Sequence, residues 1–208
     1  MNIINGNEYL LYKLKNFLSN KKLPGKVSHL KLLPFNRSYY LPLEYKEASV
    51  VILLRYNCID LHVLVIRRGT KDIHSNQIAF PGGEKEKYDK TLLDSALREL
   101  YEELGILSYN IVFLKELTPV FIPVSKYKIY PFLFFLKNNN IEIVPNKEEV
   151  NNFYWLKVDE IRKSYKEAVY IENIIAPAFV IQSEKIVIWG ATAMVMNELL
   201  YLLKGFNL

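Results

Sequence analysis

The segment from Thr91 to Gly105 constrains this chain more than any other, because it specifies a helix, both of its ends and two opposed faces. Thr91 can cap the helix, and Asp94 three residues on completes a capping-box pattern. Gly105 stands where a left-handed residue would close it, so the spacing predicts a helix over about Leu92 to Leu104. At about 100° per residue, Leu93, Ala96, Leu97, Leu100 and Leu104 form one apolar stripe. Glu99, Glu102 and Glu103, at i, i+3 and i+4, share a different face. Carboxylates so close repel one another, and a purely structural helix gains nothing from them. The bland reading is a solvated acidic face. The alternative is a hard divalent cation, since Mg²⁺ takes oxygen ligands from a few carboxylates, retained waters and phosphate groups. Just upstream, Pro81-Gly82-Gly83 makes a turn where backbone groups can approach a phosphate or metal unobstructed. Arg98 can orient a neighbouring carboxylate by a charge-assisted bond.

Elsewhere the chain alternates between strand and helix signals. Leu10, Leu11, Leu14, Phe17 and Leu18 predict an amphipathic helix over 8–20, broken by Pro24-Gly25. Residues 26–48, with Pro34 and Pro42, read as an irregular lead-in. Val50 to Tyr56 and Leu61 to Arg67 are apolar runs joined at Asn57-Cys58-Ile59-Asp60, a hairpin pattern. Further strands are expected at 77–80, 111–122, 129–136, 141–144, 152–157, 178–182 and 186–189, and a last helix at about Thr192 to Leu203. This mixture implies an α/β sandwich around one mixed central sheet. The expected division is an N-terminal helix and lead-in over 1–47, packed on a main domain over 48–208.

Length and composition narrow the function. A chain of 208 residues, 50% hydrophobic and 24% charged, suits a globular core rather than disorder. No apolar run approaches the roughly 18 to 20 residues of a membrane span, and no cleavable-signal pattern is visible, so a cytoplasmic location is expected. Cys58 is the only cysteine, which excludes an intramolecular disulfide and a cysteine-based metal site. The net charge of +5 is spread along the chain without a dense basic block. It therefore reads as a solvated surface rather than a nucleic-acid footprint.

With these residues in view, Gly83 followed by Arg98-Glu99-Leu100-Tyr101-Glu102-Glu103-Leu104-Gly105-Ile106 resembles the Nudix box. Five residues separate Gly83 from Asp89, as in the common box, but eight rather than seven separate Asp89 from Arg98, and the acid is Asp rather than Glu. This expansion is similar to the coenzyme A pyrophosphatase subgroup. So are the lead-in His74-Ser-Asn-Gln-Ile-Ala-Phe-Pro-Gly-Gly83, the segment Pro145-Asn-Lys-Glu-Glu-Val150 with Phe153-Tyr-Trp155, and Ile188-Trp-Gly-Ala-Thr-Ala193. The likeness spans about residues 48–203. Two positions depart from it. Asp72 stands where the subgroup's upstream signature carries Arg, and Asn76 stands for its Gly, whereas Arg67 matches.

The resemblance implies an α/β/α sandwich and an enzyme that uses Mg²⁺ or Mn²⁺ to hydrolyse the diphosphate of coenzyme A or its derivatives, releasing phosphopantetheine and adenosine 3′,5′-bisphosphate. It implies Glu99, Glu102, Glu103 and the Gly82 carbonyl as metal ligands. Glu103, Glu102, Arg98 and Glu149 are then the catalytic set, and Arg67 and Gly83 the substrate contacts. Arg98 would orient Glu99 or pair with Asp89 rather than touch substrate. The general base would be a box glutamate or an acid from a later loop; of the later acids Glu149 ranks ahead of Glu148 and Glu142, its competing reading being an exposed loop carboxylate. His74 reads as a hydrogen-bonded structural histidine, His29 and His62 as structural or exposed, and Trp155 and Trp189 as core. Met194 and Met196 read as a buried or dimer-forming helix face, which permits a homodimer without demanding one. The alternatives are a pyrophosphatase of ADP-ribose, a dinucleotide or a nucleoside triphosphate, a non-catalytic nucleotide- or protein-binding module, and an RNA-processing enzyme.

Overall fold

The computed structural model describes residues 6–35, 44–69, 75–171 and 173–208. Its centre is an eight-stranded sheet of β1 (Lys46–Tyr56), β2 (Leu61–Arg68), β3 (Ile78–Ala79), β4 (Gly82–Glu84), β5 (Ile111–Glu116), β6 (Val120–Ile122), β7 (Tyr127–Leu136) and β8 (Val150–Lys157). The long path runs β3-β2-β1-β7-β5, with β4 added to β1, β6 to β7 and β8 to β2. β1 and β7 run parallel from Lys46↔Tyr127 to Leu54↔Phe135, while the other pairings are antiparallel, so the sheet is mixed. A second sheet of three strands holds β9 (Tyr165–Ile171), β10 (Ile174–Ile181) and β11 (Ile186–Ile188). The helices are α1 (Gly6–Ser19), α2 (Lys26–Leu30), α3 (Leu92–Leu104), α4 (Val158–Lys163) and α5 (Gly190–Leu202).

Strand alternation divides the core in two. Ile52, Leu54, Val63 and Val65 face the side covered by α1 and α5, where they join Leu10, Leu14, Leu18, Met196 and Leu199. Val51, Leu53, Leu64 and Ile66 face the other side and pack on Ala96, Leu100 and Leu104 of α3. A strand covered on both faces needs no alternation, and β1 is correspondingly apolar from Val50 to Leu54. The result is the expected α/β/α layering. The leucines of α1 belong to the same core as the strands, and β1 begins at Lys46, inside the expected lead-in.

Several expectations are corrected. The stretch 111–122 is two strands, β5 and β6, and the lead-in contains α2. The helix α4 and the strand β9 were not expected from the sequence. The expected strand at 141–144 is irregular, although Ile141 and Ile143 pack on the α3 side. Its backbone serves α3 instead: the Val144 N–H donates to the Leu104 carbonyl at 3.0 Å and the Asn146 N–H to the Glu103 carbonyl at 2.9 Å. These are carbonyls that the end of a helix leaves without internal partners.

His29 is fully buried and bonded through Nε2 to Glu198 Oε2 at 3.1 Å. Glu198, also fully buried, accepts two more bonds, from the Thr118 hydroxyl at 2.6 Å and the Thr118 N–H at 3.1 Å. His62 is 5% exposed, with its Nδ1 against the Asp60 carbonyl at 3.1 Å. Met194 and Met196 are buried within the chain's own core. Trp155 is half-buried beneath the Arg55 guanidinium, 4.2 Å from the ring centroid, and Trp189 stands at the N-cap of α5. Among the described residues, no helix is long and apolar enough to cross a membrane.

Candidate metal and catalytic site

The site begins with the way α3 is seated. Its capping box is complete: Thr91 Oγ1 accepts from the Asp94 N–H at 3.1 Å, and Asp94 Oδ2 accepts from the Thr91 N–H at 2.9 Å. Gly105 closes the far end at φ 68°. Ala96, Leu100 and Leu104, all at 0% exposure, press against the sheet and fix the rotation of the helix. That rotation turns Glu99 and Glu103 towards β4. From Glu99, Glu103 lies about 40° around the helix and Glu102 about 60° the other way, so one sheet edge cannot meet all three equally.

Glu103 is only 4% exposed, and its Oε2 accepts from the Gly82 N–H at 2.9 Å. Gly82 takes φ 147°, and a Cβ there would fall 2.1 Å from the Ser49 carbonyl oxygen, so only glycine lets β4 lie against β1. Gly83 serves the site in a different way, since a side chain there would displace the Glu99 carboxyl group. A Cβ on it would fall 2.4 Å from Glu99 Oε1, because the Glu99 carboxyl group rests on the bare Cα.

The third carboxylate comes from the turn before β8. Glu99, Glu103 and Glu149 each offer a ligand oxygen, and these oxygens lie within 4.8 Å of one another. Asn146 builds the turn that delivers Glu149. Its carbonyl accepts from the N–H groups of Glu149 at 3.1 Å and Val150 at 2.8 Å, and its side-chain oxygen accepts from the Glu148 N–H at 3.1 Å. Since the Asn146 N–H bonds the Glu103 carbonyl, one residue stitches the Glu149 turn to the helix carrying Glu103. The Asn of the Pro145-Asn146 pair therefore has a physical task. Glu142 and Glu148 are exposed and outside this cluster.

Glu102 has its side chain 44% exposed and meets the cluster through Arg98, whose Nη1 lies 2.7 Å from Glu102 Oε2 and 2.8 Å from Glu99 Oε1. Arg98 Nε and Nη2 hold Asp89 at 3.1 and 3.0 Å, and Nη2 also donates to the Glu84 carbonyl at 3.1 Å. A guanidinium has five N–H donors, and these five bonds occupy them all. Arg98 is thus a strut between the loop, α3 and β4, and has no donor left for a substrate.

The electrostatics follow from burial. Desolvation pushes the Glu103 carboxyl up to about 8; the nearby Arg68 charge and the Gly82 N–H oppose the shift, and Glu99 and Glu149 add to it. Burial also raises Glu99, against the pull of Arg98. Asp89 is held below the ordinary carboxylate range by Arg98. Three carboxylates gathered in partial burial, with Arg68 and a backbone N–H partly balancing Glu103, form an oxygen-rich set of the kind that fits Mg²⁺ or Mn²⁺.

Arg67 lies on the other face of the sheet. Its Nε donates to the Tyr154 hydroxyl at 3.2 Å and its Nη1 to the Asn76 carbonyl at 3.3 Å, and Tyr154 packs on the α5 side. The neighbour Arg68 is the one whose charge Glu103 feels. Strict alternation after Leu64 and Ile66 would have singled it out. Asn76 adopts φ 62°, a left-handed conformation that Asn and Gly share, so its substitution for Gly preserves the backbone. His74 and Asp72 lie outside the described residues.

Comparison with known proteins accords with this geometry. The family model described as the NUDIX domain matches residues 46–176. The chain is similar to an uncharacterized Nudix hydrolase NudL of Pectobacterium atrosepticum, with 25% identity over 169 residues covering 74% of this chain and 82% of that protein. A NudL of Yersinia pestis is 28% identical over 167 residues, covering 78% and 82%. Among solved structures, the Nudix hydrolase RenU from M. smegmatis superposes with a TM-score of 0.55 at 14% identity, covering 85% of this chain and 96% of that one. The MutT protein from Methanosarcina mazei Go1 gives 0.52 at 16% identity, covering 81% and 99%. These two likenesses concern the fold. With the box helix, its glycine turn and the matched family model in agreement, the chain belongs to the Nudix family of pyrophosphate-cleaving hydrolases.

Proposed function

We propose that this Nudix hydrolase cleaves the diphosphate of coenzyme A or its derivatives, releasing phosphopantetheine and adenosine 3′,5′-bisphosphate. The observation that carries the chemistry is the convergence of Glu99, Glu103 and Glu149 within 4.8 Å beside the Gly82-Gly83 backbone. The narrower substrate rests on the one-residue expansion of the box, the Gln77-to-Gly83 lead-in and the Pro145-to-Val150 turn.

Glu99 and Glu103, with the Gly82 carbonyl, would hold Mg²⁺ or Mn²⁺; one oxygen of Glu149 would join them, and Glu102 would contribute from the outer side of α3. The bound cation supplies charge neutralisation at the phosphates and a lowered pKa for coordinated water. Arg98 keeps Glu99 and Glu102 in place while Asp89 anchors Arg98 to the loop. The other oxygen of Glu149, an exposed residue of the cluster, is assigned to take the proton from the attacking water. The water oxygen attacks one phosphorus, and the other phosphate leaves with the bridging oxygen.

A second reading, hydrolysis of ADP-ribose or a dinucleotide by the same machinery, is favoured by Asp72, an acid where the subgroup carries Arg and where it would repel a phosphate. A panel of coenzyme A, ADP-ribose, NADH and nucleoside triphosphates, each with Mg²⁺ and Mn²⁺, separates them. Turnover of coenzyme A above the others is expected. Strong turnover of ADP-ribose without turnover of coenzyme A would sink the first reading.

A further inference from the structure

The Glu149 turn is held from two sides, and only one of them belongs to its own sequence motif. On the far side, β2 ends at Arg68, and the buried Gly69 donates its N–H to the Glu149 carbonyl at 2.7 Å. A Cβ on Gly69 would lie 2.7 Å from the Glu148 carbonyl oxygen and 3.1 Å from both the carbonyl carbon and the oxygen of Glu149. These are backbone atoms of a turn already fixed by Asn146, so they cannot swing aside as the end of a side chain would. The pairing of β2 with β8 slips at this point: Arg67 faces Asn152, Arg68 faces Val150, and Asn151 is the extra residue between. The Asn151 side chain bonds back to the Arg68 carbonyl at 3.2 Å and to Asn76 Oδ1 at 2.9 Å, locking the bulge. Bulges of this kind re-aim the residues beside them. Here the aim is visible: Val150 goes into the core under α3, while Glu149 lies within reach of Glu99 and Glu103.

We infer that Gly69, together with the Asn151 bulge, is a positioning device that sets how deeply Glu149 enters the carboxylate cluster. The inference rests on the reading of Glu149 as a member of that cluster. Gly69 touches neither metal nor substrate; it acts by allowing the β2 backbone to lie directly against residues 148–149. Any side chain at position 69 would push the turn outward and separate Glu149 from the helix carboxylates.

The test is Mn²⁺ titration of the full chain, following free Mn²⁺ by its electron paramagnetic resonance signal, for Gly69→Ala, Glu149→Gln and the double variant. Gly69→Ala is expected to weaken Mn²⁺ binding by about tenfold or more, the scale of residues that orient ligands from behind. In the Glu149→Gln background it should add less than about twofold, because both changes remove the same carboxylate. A Gly69→Ala loss that persists undiminished in that background would overturn the inference, as would wild-type affinity in Gly69→Ala. Glu149→Gln binding Mn²⁺ as tightly as wild type would instead overturn the underlying reading, with Glu103→Gln as the control that still loses the ion. Should Gly69→Ala fail to fold, Asn151→Ala opens the bulge without adding atoms. A weakening that vanishes in the Glu149→Gln background is expected again, and unchanged affinity refutes the device.

Discussion

At the scale of single residues, Glu103 combines burial, a glycine N–H and two neighbouring acids, which makes it the side chain most dependent on a cation for its charge. Glu103→Gln should lower turnover by about 100-fold or more, equivalent to about 2.7 kcal/mol of transition-state stabilisation. Steady-state kinetics on the best substrate of the panel checks this, and unchanged turnover would remove Glu103 from the site. His62 offers a prediction independent of the metal. Burial holds its imidazole below the ordinary 6.5, with Arg55 adding to the effect and the neighbouring Asp60 opposing it. The folded chain therefore binds this proton less readily than the unfolded one. The His62 contribution is level above about pH 6.5 and turns destabilising as pH falls below it towards the folded value. Urea unfolding at pH 7.5, 6 and 5 should show the stability of His62→Gln shifting upward relative to the wild type as pH falls. Glu99 and Glu103, raised by burial, add stability as pH falls through this window, and the depressed Asp60 and Asp89 act near and below 3.8, but all four are common to both proteins. Parallel pH profiles would refute the assignment.

At the scale of elements, α3 was legible because everything that defines it is local. A cap, a left-handed closing glycine and a 3.6-residue stripe all lie within fifteen positions of one another, and the helix spans Leu92–Leu104 as its spacing requires. The capping box should therefore be worth its usual amount: Thr91→Ala is expected to cost about 1 kcal/mol in chemical denaturation, with the carboxylate cluster retained. A loss near zero would mean that tertiary packing alone holds the helix start. The segment 141–144 shows the opposite case. Its alternating Ile-Glu-Ile-Val has the period of a strand, but the Val144 N–H, like that of Asn146 just beyond, is taken by the end of α3, and a side-chain pattern carries no record of where backbone hydrogen bonds go. The strand β9 was missed for a related reason. It is exposed along most of its length and draws its pairing from β10, so it has little apolar periodicity to read.

At the scale of the whole molecule, the sheet lets distant residues meet in its two layers. On the α1/α5 side, Glu198 bonds His29, 169 positions away, and Thr118, 80 positions away, with neither carboxylate nor imidazole exposed. Glu198→Ala leaves a buried ring nitrogen and the partly buried Thr118 N–H and hydroxyl without their partner, and should destabilise the protein by about 3 kcal/mol or more. Thermal and urea unfolding test this, and a loss under about 1 kcal/mol would show that the network is replaceable. On the α3 side, the same principle assembles the site. The sequence by itself determined the box helix, its glycine turn, the acidic face of that helix and the layered α/β class, because each depends on contacts within a few residues or on the period of burial. Only the tertiary structure decided that Glu149 rather than Glu102 stands with Glu99 and Glu103, that Arg68 rather than Arg67 faces them, and that Arg98 has no donor to spare. Those choices follow from the rotation of one helix on a sheet and from a one-residue bulge, which displace side chains by ångströms without leaving a periodic trace in the chain.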